Sequence, residues 1–189
     1  MNKHKPITIL SISGSLRTNS SNSLLLKAIA GIADDNINFI QYDELGLLPH
    51  FNPDLDVEPF PVAVTTFRNL LKKADAVIIC TPEYAFGPPG VLKNALDWTV
   101  SSGEFTKKPL ALISASPLYL GGDKAHAAIA LTMKALDALL PEKNKLCVPV
   151  VYKKFNEQGE LIDAETANLL KKVLHGLVET VNADKLINL

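Results

Sequence analysis

The stretch "AVIICTPEYAFGPPG", residues 76–90, joins a buried strand to a stiff turn. Residues 76–81 are apolar on both faces, which is typical of a central strand in a parallel sheet covered by helices on both sides. In the turn, 82–90, three prolines and two glycines shape the backbone, and Tyr84 and Phe86 supply aromatic walls. Such a turn suits a flat polar heterocycle. It is equally compatible with a rigid turn whose aromatic side chains cover the sheet edge.

Apolar runs and helix-period segments alternate along the whole chain. The other apolar runs of strand length are 7–13, 37–42, 109–115 and 145–152. The helix-period segments are 21–33, 61–74, 90–102, 124–140 and 163–181. This alternation predicts an α/β fold with a doubly wound parallel sheet, formed by one domain over residues 1–189. The proline-rich segment 44–62 is predicted to be a surface loop.

In such sheets, ligands bind beyond the carboxyl ends of the strands, where the strand order reverses. Three loops follow strands in this way and have unusual compositions. They are the first loop (13–22), the second loop (82–90) and the third loop (114–123). We therefore expect the functional site where these loops meet.

Composition excludes several classes of function. The 189 residues carry a net charge of −1 without a basic block, so a nucleic-acid partner is not expected. Apolar runs are too short for the roughly 20 residues that span a bilayer, so membrane insertion is not expected. The polar start, "MNKHKP", and two isolated cysteines favour a cytoplasmic protein. The four histidines show no metal-ligand spacing, which predicts no metal site.

The first loop, "SGSLRTNSSN", has the composition of an anion site. Gly14 permits a tight turn, Arg17 is its one charge, and serine, threonine and asparagine side chains fill most other positions. Free N–H groups at the start of the following helix also favour an anion such as phosphate. The alternative is N-capping of that helix, which accounts for one serine but not for the whole set. The Walker and dinucleotide glycine patterns are both absent.

Two motifs resemble those of the NAD(P)H-dependent FMN reductases. "GSLRTNSSN", 14–22, resembles the phosphate loop of that family, G-S-x-R-x-x-S-x-N. "PEYAFGPPGVLKNALDW", 82–98, resembles its flavin loop and following helix, P-E-Y-N-x-x-x-P-G-x-L-K-N-A-x-D-W. The motifs occur in the expected order after the first and third strands, and the resemblance extends over essentially the whole chain.

The resemblance implies a flavodoxin-like sheet of five parallel strands in the order 2-1-3-4-5, with FMN where the first and third strands meet. The residues expected to hold the FMN phosphate are Ser15, Arg17, Ser20, Ser21 and Asn22. Those expected along the isoalloxazine are Pro82, Glu83, Tyr84, Ala85 and Phe86, with Ser116 approaching from the third loop. Glu83 has no sequence-adjacent His or Cys partner for acid–base work, so we expect it to be solvated or to brace its loop.

The resemblance also implies the activity. NADPH or NADH reduces bound FMN, and a quinone, an azo compound or free flavin then takes the electrons from the same pocket. No catalytic side chain is expected, because hydride transfer between stacked rings needs no acid or base. A homodimer or homotetramer is implied as well. The alternative is a non-catalytic FMN protein, either an electron carrier or a sensor. The physiological acceptor and the preference between NADH and NADPH stay open.

The sequence departs from the family pattern at Ala85, and Gly87 and Pro88 also replace residues more typical of the family. Ala85 stands where an asparagine usually follows the tyrosine, so a side-chain hydrogen bond near the flavin is absent. The backbone N–H of Ala85 is retained. We expect FMN binding to persist, with its affinity, its reduction potential or the choice of acceptor altered.

Overall fold

The computed structural model describes residues 6–187. At residue 187 it describes the backbone but not the side chain. Five parallel strands form one sheet in the order β2-β1-β3-β4-β5. Their bounds are β1 Ile7–Ser13, β2 Ile37–Tyr42, β3 Ala76–Thr81, β4 Leu110–Ala115 and β5 Lys145–Val148. The predicted fold class and strand order are therefore confirmed. The order reverses between β1 and β3, which pair from Ile9↔Ala76 to Ser13↔Cys80.

Helices cover both faces of the sheet. Their bounds are α1 Ser21–Gly31, α2 Val62–Lys73, α3 Gly90–Asp97, α4 Asp123–Ala135 and α5 Ala164–Ile187. Helices α2, α3 and α4 pack on one face and α1 and α5 on the other, each against its own apolar cluster. Every residue of β3 and β4 is buried, as the continuous apolar runs predict. No helix in this part of the chain is long and apolar enough to cross a membrane.

Three predicted elements end at least four residues earlier in the structure. Helix α3 stops at Asp97 rather than 102, because Arg68 of α2 binds the carbonyl of Trp98 and the chain turns. Helix α4 stops at Ala135 rather than 140, because Leu139 pairs with the start of β4. Strand β5 stops at Val148 rather than 152. Pro149 lacks an N–H, and Val150 has a left-handed backbone.

The predicted surface loop between β2 and α2 is anchored to the fold. The Asn94 side chain on α3 accepts from the N–H of Phe51 at 2.7 Å and donates to the carbonyl of Pro49 at 3.0 Å. Trp98 Nε1 donates to the same Pro49 carbonyl at 2.8 Å. Farther along, Arg68 forms a buried ion pair with Asp56 at 2.7 Å. The amide and indole of the "LKNALDW" motif thus hold a loop in place.

Candidate functional site

The first and second loops leave adjacent strands and pack closely where they begin. The N–H of Gly14 donates to the carbonyl of Cys80 at 2.8 Å. A Cβ at Gly14 would lie 3.0 Å from both Thr81 Oγ1 and Leu92 Cδ2. That spacing is tighter than ordinary contact, so a side chain at residue 14 would force Thr81 or Leu92 to shift, and glycine lets the first loop approach β3 and α3 closely. The carboxyl ends of β1 and β3 are thereby joined at the switch point of the sheet.

The first loop presents a row of unbonded backbone donors. From Leu16 to Asn22, the N–H of Arg17 alone has an acceptor among the described residues 6–187. That acceptor is the Oγ of Ser15, at 3.2 Å. Asn19 has a left-handed backbone (φ 54°), which asparagine tolerates well. Ser20 is the N-cap of α1, and its Oγ accepts from the N–H of Ser23 at 3.1 Å. N-capping therefore uses the Oγ of one serine, Ser20, and leaves the unbonded backbone N–H groups of the loop free.

Hydrogen bonds among the hydroxyls of Ser13, Ser20 and Ser23 hold this loop in place. Ser13 Oγ accepts from the N–H of Ser15 at 3.3 Å and from Ser23 Oγ at 3.2 Å. Ser20 Oγ lies 2.9 Å from Ser23 Oγ. Ser23 was not singled out by the sequence motif. Its position three residues after the N-cap Ser20 is the signal that could have found it.

The first loop carries one positively charged side chain and no negatively charged one. No Asp or Glu occurs between residues 13 and 22, and Arg17 is exposed with no ion-pair partner in the described part of the chain. A cavity of about 310 Å³ lies between this loop and the end of β2. Lys27 and Asp43 also line that cavity. An exposed, uncompensated guanidinium beside free N–H groups is suited to phosphate.

Asn22 occupies an unexpected environment. Its side chain is buried, and its Oδ1 accepts from the Sγ of Cys80 at 3.3 Å. Burial raises the pKa of the Cys80 thiol, so this sulfur stays protonated and can donate. The Oδ1 of Asn22 thus ties α1 to β3, and its backbone N–H at the start of α1 is without an acceptor and can meet a phosphate. Ser21 beside it is partly exposed at the first position of α1.

The second loop is a two-residue hairpin with an unusual sequence. Tyr84 and Gly87 exchange both backbone hydrogen bonds, at 2.9 and 3.0 Å. Between them, Ala85 and Phe86 both have positive φ, 49° and 61°. Turns of this kind favour Asn-Gly, because most L-residues are strained there. The strain costs on the order of 1 kcal/mol for each residue.

The aromatic side chains of the second loop point outward. Tyr84 is 52% and Phe86 is 78% exposed. At this exposure both rings are accessible to a ligand or to a partner surface. The exposed rings and the unbonded N–H groups of Ala85 and Phe86 leave an apolar surface with polar edge donors. Pro82, in contrast, is buried at the end of β3.

Glu83 braces its loop, which is one of the two roles expected from the sequence. Its Oε2 accepts from the backbone N–H groups of Lys124 and Ala125, each at 2.9 Å. In the third loop, Ser116 is buried, and its Oγ accepts from the N–H of Leu118 at 3.1 Å. Ser114 is fully buried and donates to the carbonyl of Gly121, so its hydroxyl is committed to the fold.

These residues fit FMN. The first loop offers backbone donors, hydroxyls and one free guanidinium to a phosphate, while the second offers a stiff apolar edge to a flat ring. A larger cavity of about 820 Å³ lies beside the start of β2 and along α5, and none of these site residues lines it. No cluster of metal-ligating side chains occurs within residues 6–187.

Comparison with known proteins gives the family. A family model described as NADPH-dependent FMN reductase matches residues 7–152. The chain belongs to this family. It is 34% identical over 173 residues to an NAD(P)H-dependent FMN reductase of Pseudomonas aeruginosa, covering 90% of this chain and 93% of the relative. It is 32% identical over 177 residues to an NADPH:quinone oxidoreductase of Arabidopsis thaliana, covering 90% of each.

Solved structures agree with this result. The flavoenzyme NAD(P)H:(acceptor) oxidoreductase FerB from Paracoccus denitrificans superposes with a TM-score of 0.84 at 27% identity, covering 94% of this chain and 98% of FerB. An archaeal flavodoxin shares the fold, with a TM-score of 0.63 at 13% identity. The predicted family, fold, FMN cofactor, nicotinamide reductant and oxidoreductase activity are thereby confirmed. The individual binding residues stay predictions.

Proposed function

We propose that this chain, as one domain over residues 1–189, holds one FMN at the edge where its first and second loops meet. With it, the protein passes two electrons from NADPH or NADH to a quinone. The observation that carries the proposal is the row of unbonded N–H groups from Leu16 to Asn22 beside the free guanidinium of Arg17. Such a row binds a dianionic phosphate without a metal.

Each predicted residue has a role that its surroundings support. Ser15 and Arg17 meet the phosphate through a hydroxyl and a guanidinium, and Ser20, Ser21 and Asn22 meet it through the start of α1. Pro82 ends β3, so that the hairpin at Tyr84, Ala85 and Phe86 begins at a fixed point. Ser116 is bonded through its oxygen and keeps its hydroxyl proton available as a donor.

When bound, FMN supplies the hydride acceptor and the two-electron store. The protein positions the cofactor and limits water around it. No side chain is assigned as a general acid or base: Cys80 is buried, Glu83 is engaged at α4, and Asp43 accepts a hydrogen bond from Gln41. The aromatic and aliphatic surface of the second loop favours flat, apolar acceptors. We expect quinones to be the preferred acceptors, followed by azo compounds and free flavin.

We also propose that the protein acts as a homodimer or homotetramer in the cytoplasm. Three consecutive apolar side chains of the third loop are exposed, and Tyr119 is 89% exposed. Leu118 and Leu120 flank it, and Phe86 extends the same kind of surface on the second loop. Exposed apolar side chains in such number are typical of subunit contacts. Analytical ultracentrifugation distinguishes monomer, dimer and tetramer.

The function is tested by absorbance. Purified protein reconstituted with FMN is expected to show flavin bands that bleach on anaerobic addition of NADPH or NADH and return on addition of a quinone. If the bands bleach only when a partner reductase is also added, the chain is an electron carrier. A protein that takes up FMN and never bleaches is a sensor. Absence of FMN uptake would contradict the proposal as a whole.

A further inference from the structure

The start of α4 lacks a cap from its own sequence. Its N-cap residue is Gly122, which has no side chain to accept from the first-turn N–H groups. Asp123, in the first turn, instead pairs with the ammonium of Lys124 at 2.9 Å. The N–H groups of Lys124 and Ala125 are bonded by Glu83, 41 and 42 positions earlier in the chain. The second loop therefore supplies the cap of a helix that follows the third loop.

The third loop packs closely around this contact. Gly122 has φ +81°, and a Cβ there would lie 3.4 Å from both Glu83 Cβ and Ser114 Cβ. At Gly121 a Cβ would lie 2.9 Å from the backbone of Val148, so the third loop rests directly on the end of β5. The hydroxyl of Ser114 holds the carbonyl of Gly121 at 2.8 Å. The third loop is thus a rigid support against which Glu83 is held.

We propose that Glu83 is a positioning residue, which holds the strained hairpin of the second loop at a fixed separation from the third loop. The inference rests on the proposed function, since these two loops are the ones expected to flank the isoalloxazine. Ala85 and Phe86 keep a costly left-handed backbone, and such conformations persist only where the surroundings enforce them. The Glu83 carboxylate, one residue before the hairpin, is a contact that does so.

A carboxylate is well suited to this task. The start of α4 carries the positive end of the helix dipole, which favours an anion at this point. One oxygen, Oε2, accepts both N–H groups, so a glutamine side chain can reproduce the geometry through its Oε1. Glutamine lacks the charge. Alanine lacks both the charge and the acceptor.

The experiment compares Glu83→Ala and Glu83→Gln with the matched control Asp163→Ala. Asp163 likewise accepts at the start of a helix, from the N–H and hydroxyl of Thr166, but lies outside the three loops. FMN affinity is measured by quenching of FMN fluorescence on titration with cofactor-free protein. We expect Glu83→Ala to weaken FMN binding about tenfold, an effect of the size of one lost helix cap. Glu83→Gln is expected to restore affinity to within about threefold of the wild type.

Asp163→Ala is expected to lower the melting temperature without changing FMN affinity. The midpoint potential of the bound flavin provides a readout that loss of stability alone does not move. It is expected to become more positive in Glu83→Gln, because a negative charge beside the ring is removed, and to stay unchanged in Asp163→Ala. Equal FMN affinity in Glu83→Ala and wild type, or an equal loss in Asp163→Ala, would overturn the inference.

Amide hydrogen exchange on cofactor-free protein separates this inference from the proposed function. Glu83→Ala is expected to accelerate exchange at Tyr84 and Gly87 in the hairpin as well as at Lys124 and Ala125. Asp163→Ala is expected to leave all four unchanged. If wild-type protein binds no FMN, the proposed function fails while the exchange data still decide whether Glu83 holds the loop. Unchanged exchange at Tyr84 and Gly87 in Glu83→Ala contradicts the positioning role directly.

Discussion

At the scale of single residues, Ala85 is the most informative position. It has φ 49° in a turn where asparagine or glycine is favoured. We expect Ala85→Gly to raise the free energy of unfolding of cofactor-free protein by about 1 kcal/mol, because the left-handed strain is relieved. Chemical denaturation measures the change. The control is Ala127→Gly, in the exposed interior of α4, where the same substitution is expected to destabilise by about 1 kcal/mol.

A second substitution, Ala85→Asn, tests the same position. Asparagine tolerates the backbone and restores the side chain that the family pattern carries. Its stability is expected to rise as in Ala85→Gly, with FMN affinity equal to or higher than that of the wild type. A loss of stability in both variants would mean that the hairpin is not strained at Ala85.

Arg17 is the second residue with a sharp prediction. Its guanidinium is exposed and unpaired in the described structure, and it stands beside the unbonded N–H groups of the first loop. Arg17→Ala is expected to weaken FMN binding by about 10- to 100-fold, the range for one charge-assisted contact. Lys73→Ala, which removes an exposed cation on α2 outside this cavity, is the control and is expected to change affinity less than about threefold. Equal effects of the two substitutions would point to general electrostatic attraction instead.

At the scale of elements, α3 and the loop before α2 form one unit. Asn94→Ala removes both hydrogen bonds to the loop and leaves the N–H of Phe51 without its acceptor. The free energy of unfolding is expected to fall by about 1–3 kcal/mol. Lys93→Ala removes the adjacent exposed ion pair with Asp97 and is expected to cost less than about 1 kcal/mol. Thermal or chemical denaturation of the two variants tests the contrast, and a similar loss in both contradicts it.

The elements themselves were largely predictable because apolar period and strand burial are local signals. Each of the five strands begins within one residue of its predicted start. Helix ends were less predictable where a distant residue decides them. Arg68 binding the carbonyl of Trp98 ends α3, and no pattern within "GVLKNALDWTVSS" contains that contact. The same reason explains why the loop held by Asn94 and Trp98 resembled a free surface loop in the sequence.

At the scale of the whole molecule, buried ionisable groups set the response to pH. His126 on α4 is buried, and its Nδ1 has no hydrogen-bond partner in the described structure. Burial lowers the pKa of His126. The positive charge of Lys145 lowers this pKa further, whereas the negative charge of Glu142 raises it. The unfolded chain, in which a histidine has its ordinary pKa near 6.5, therefore takes up this proton more readily. Stability is expected to fall as the pH drops below about 6.5.

Substitution tests this contribution. His126→Leu is expected to remove part of the loss of stability between about pH 7.5 and about pH 5, because no buried imidazole remains to be protonated. Urea denaturation of the variant and the wild type at both pH values measures the difference. Leu131→Ala, at an exposed position on α4 that carries no titratable group, is the control and is expected to retain the wild-type dependence. An unchanged dependence in His126→Leu would refute the account of His126.

The site was predictable in its location and less so in its internal contacts. Strand order places the first and second loops side by side, and the motifs name most of the polar residues. The sequence did not reveal that Asn22 turns inward to Cys80 or that Glu83 caps a helix 41 positions later. Both contacts depend on the packing of elements that are distant in the chain. The outward orientation of Tyr84 and Phe86 likewise became evident only in the folded structure.

The central claim is that the first loop recognises the phosphate of FMN. Its most direct test is a fluorescence titration of cofactor-free protein with FMN and with riboflavin, which has the same ring and no phosphate. Several charge-assisted bonds to the phosphate predict that FMN binds at least about 100-fold more tightly. Equal affinity for the two compounds, or tighter binding of riboflavin, would contradict the account.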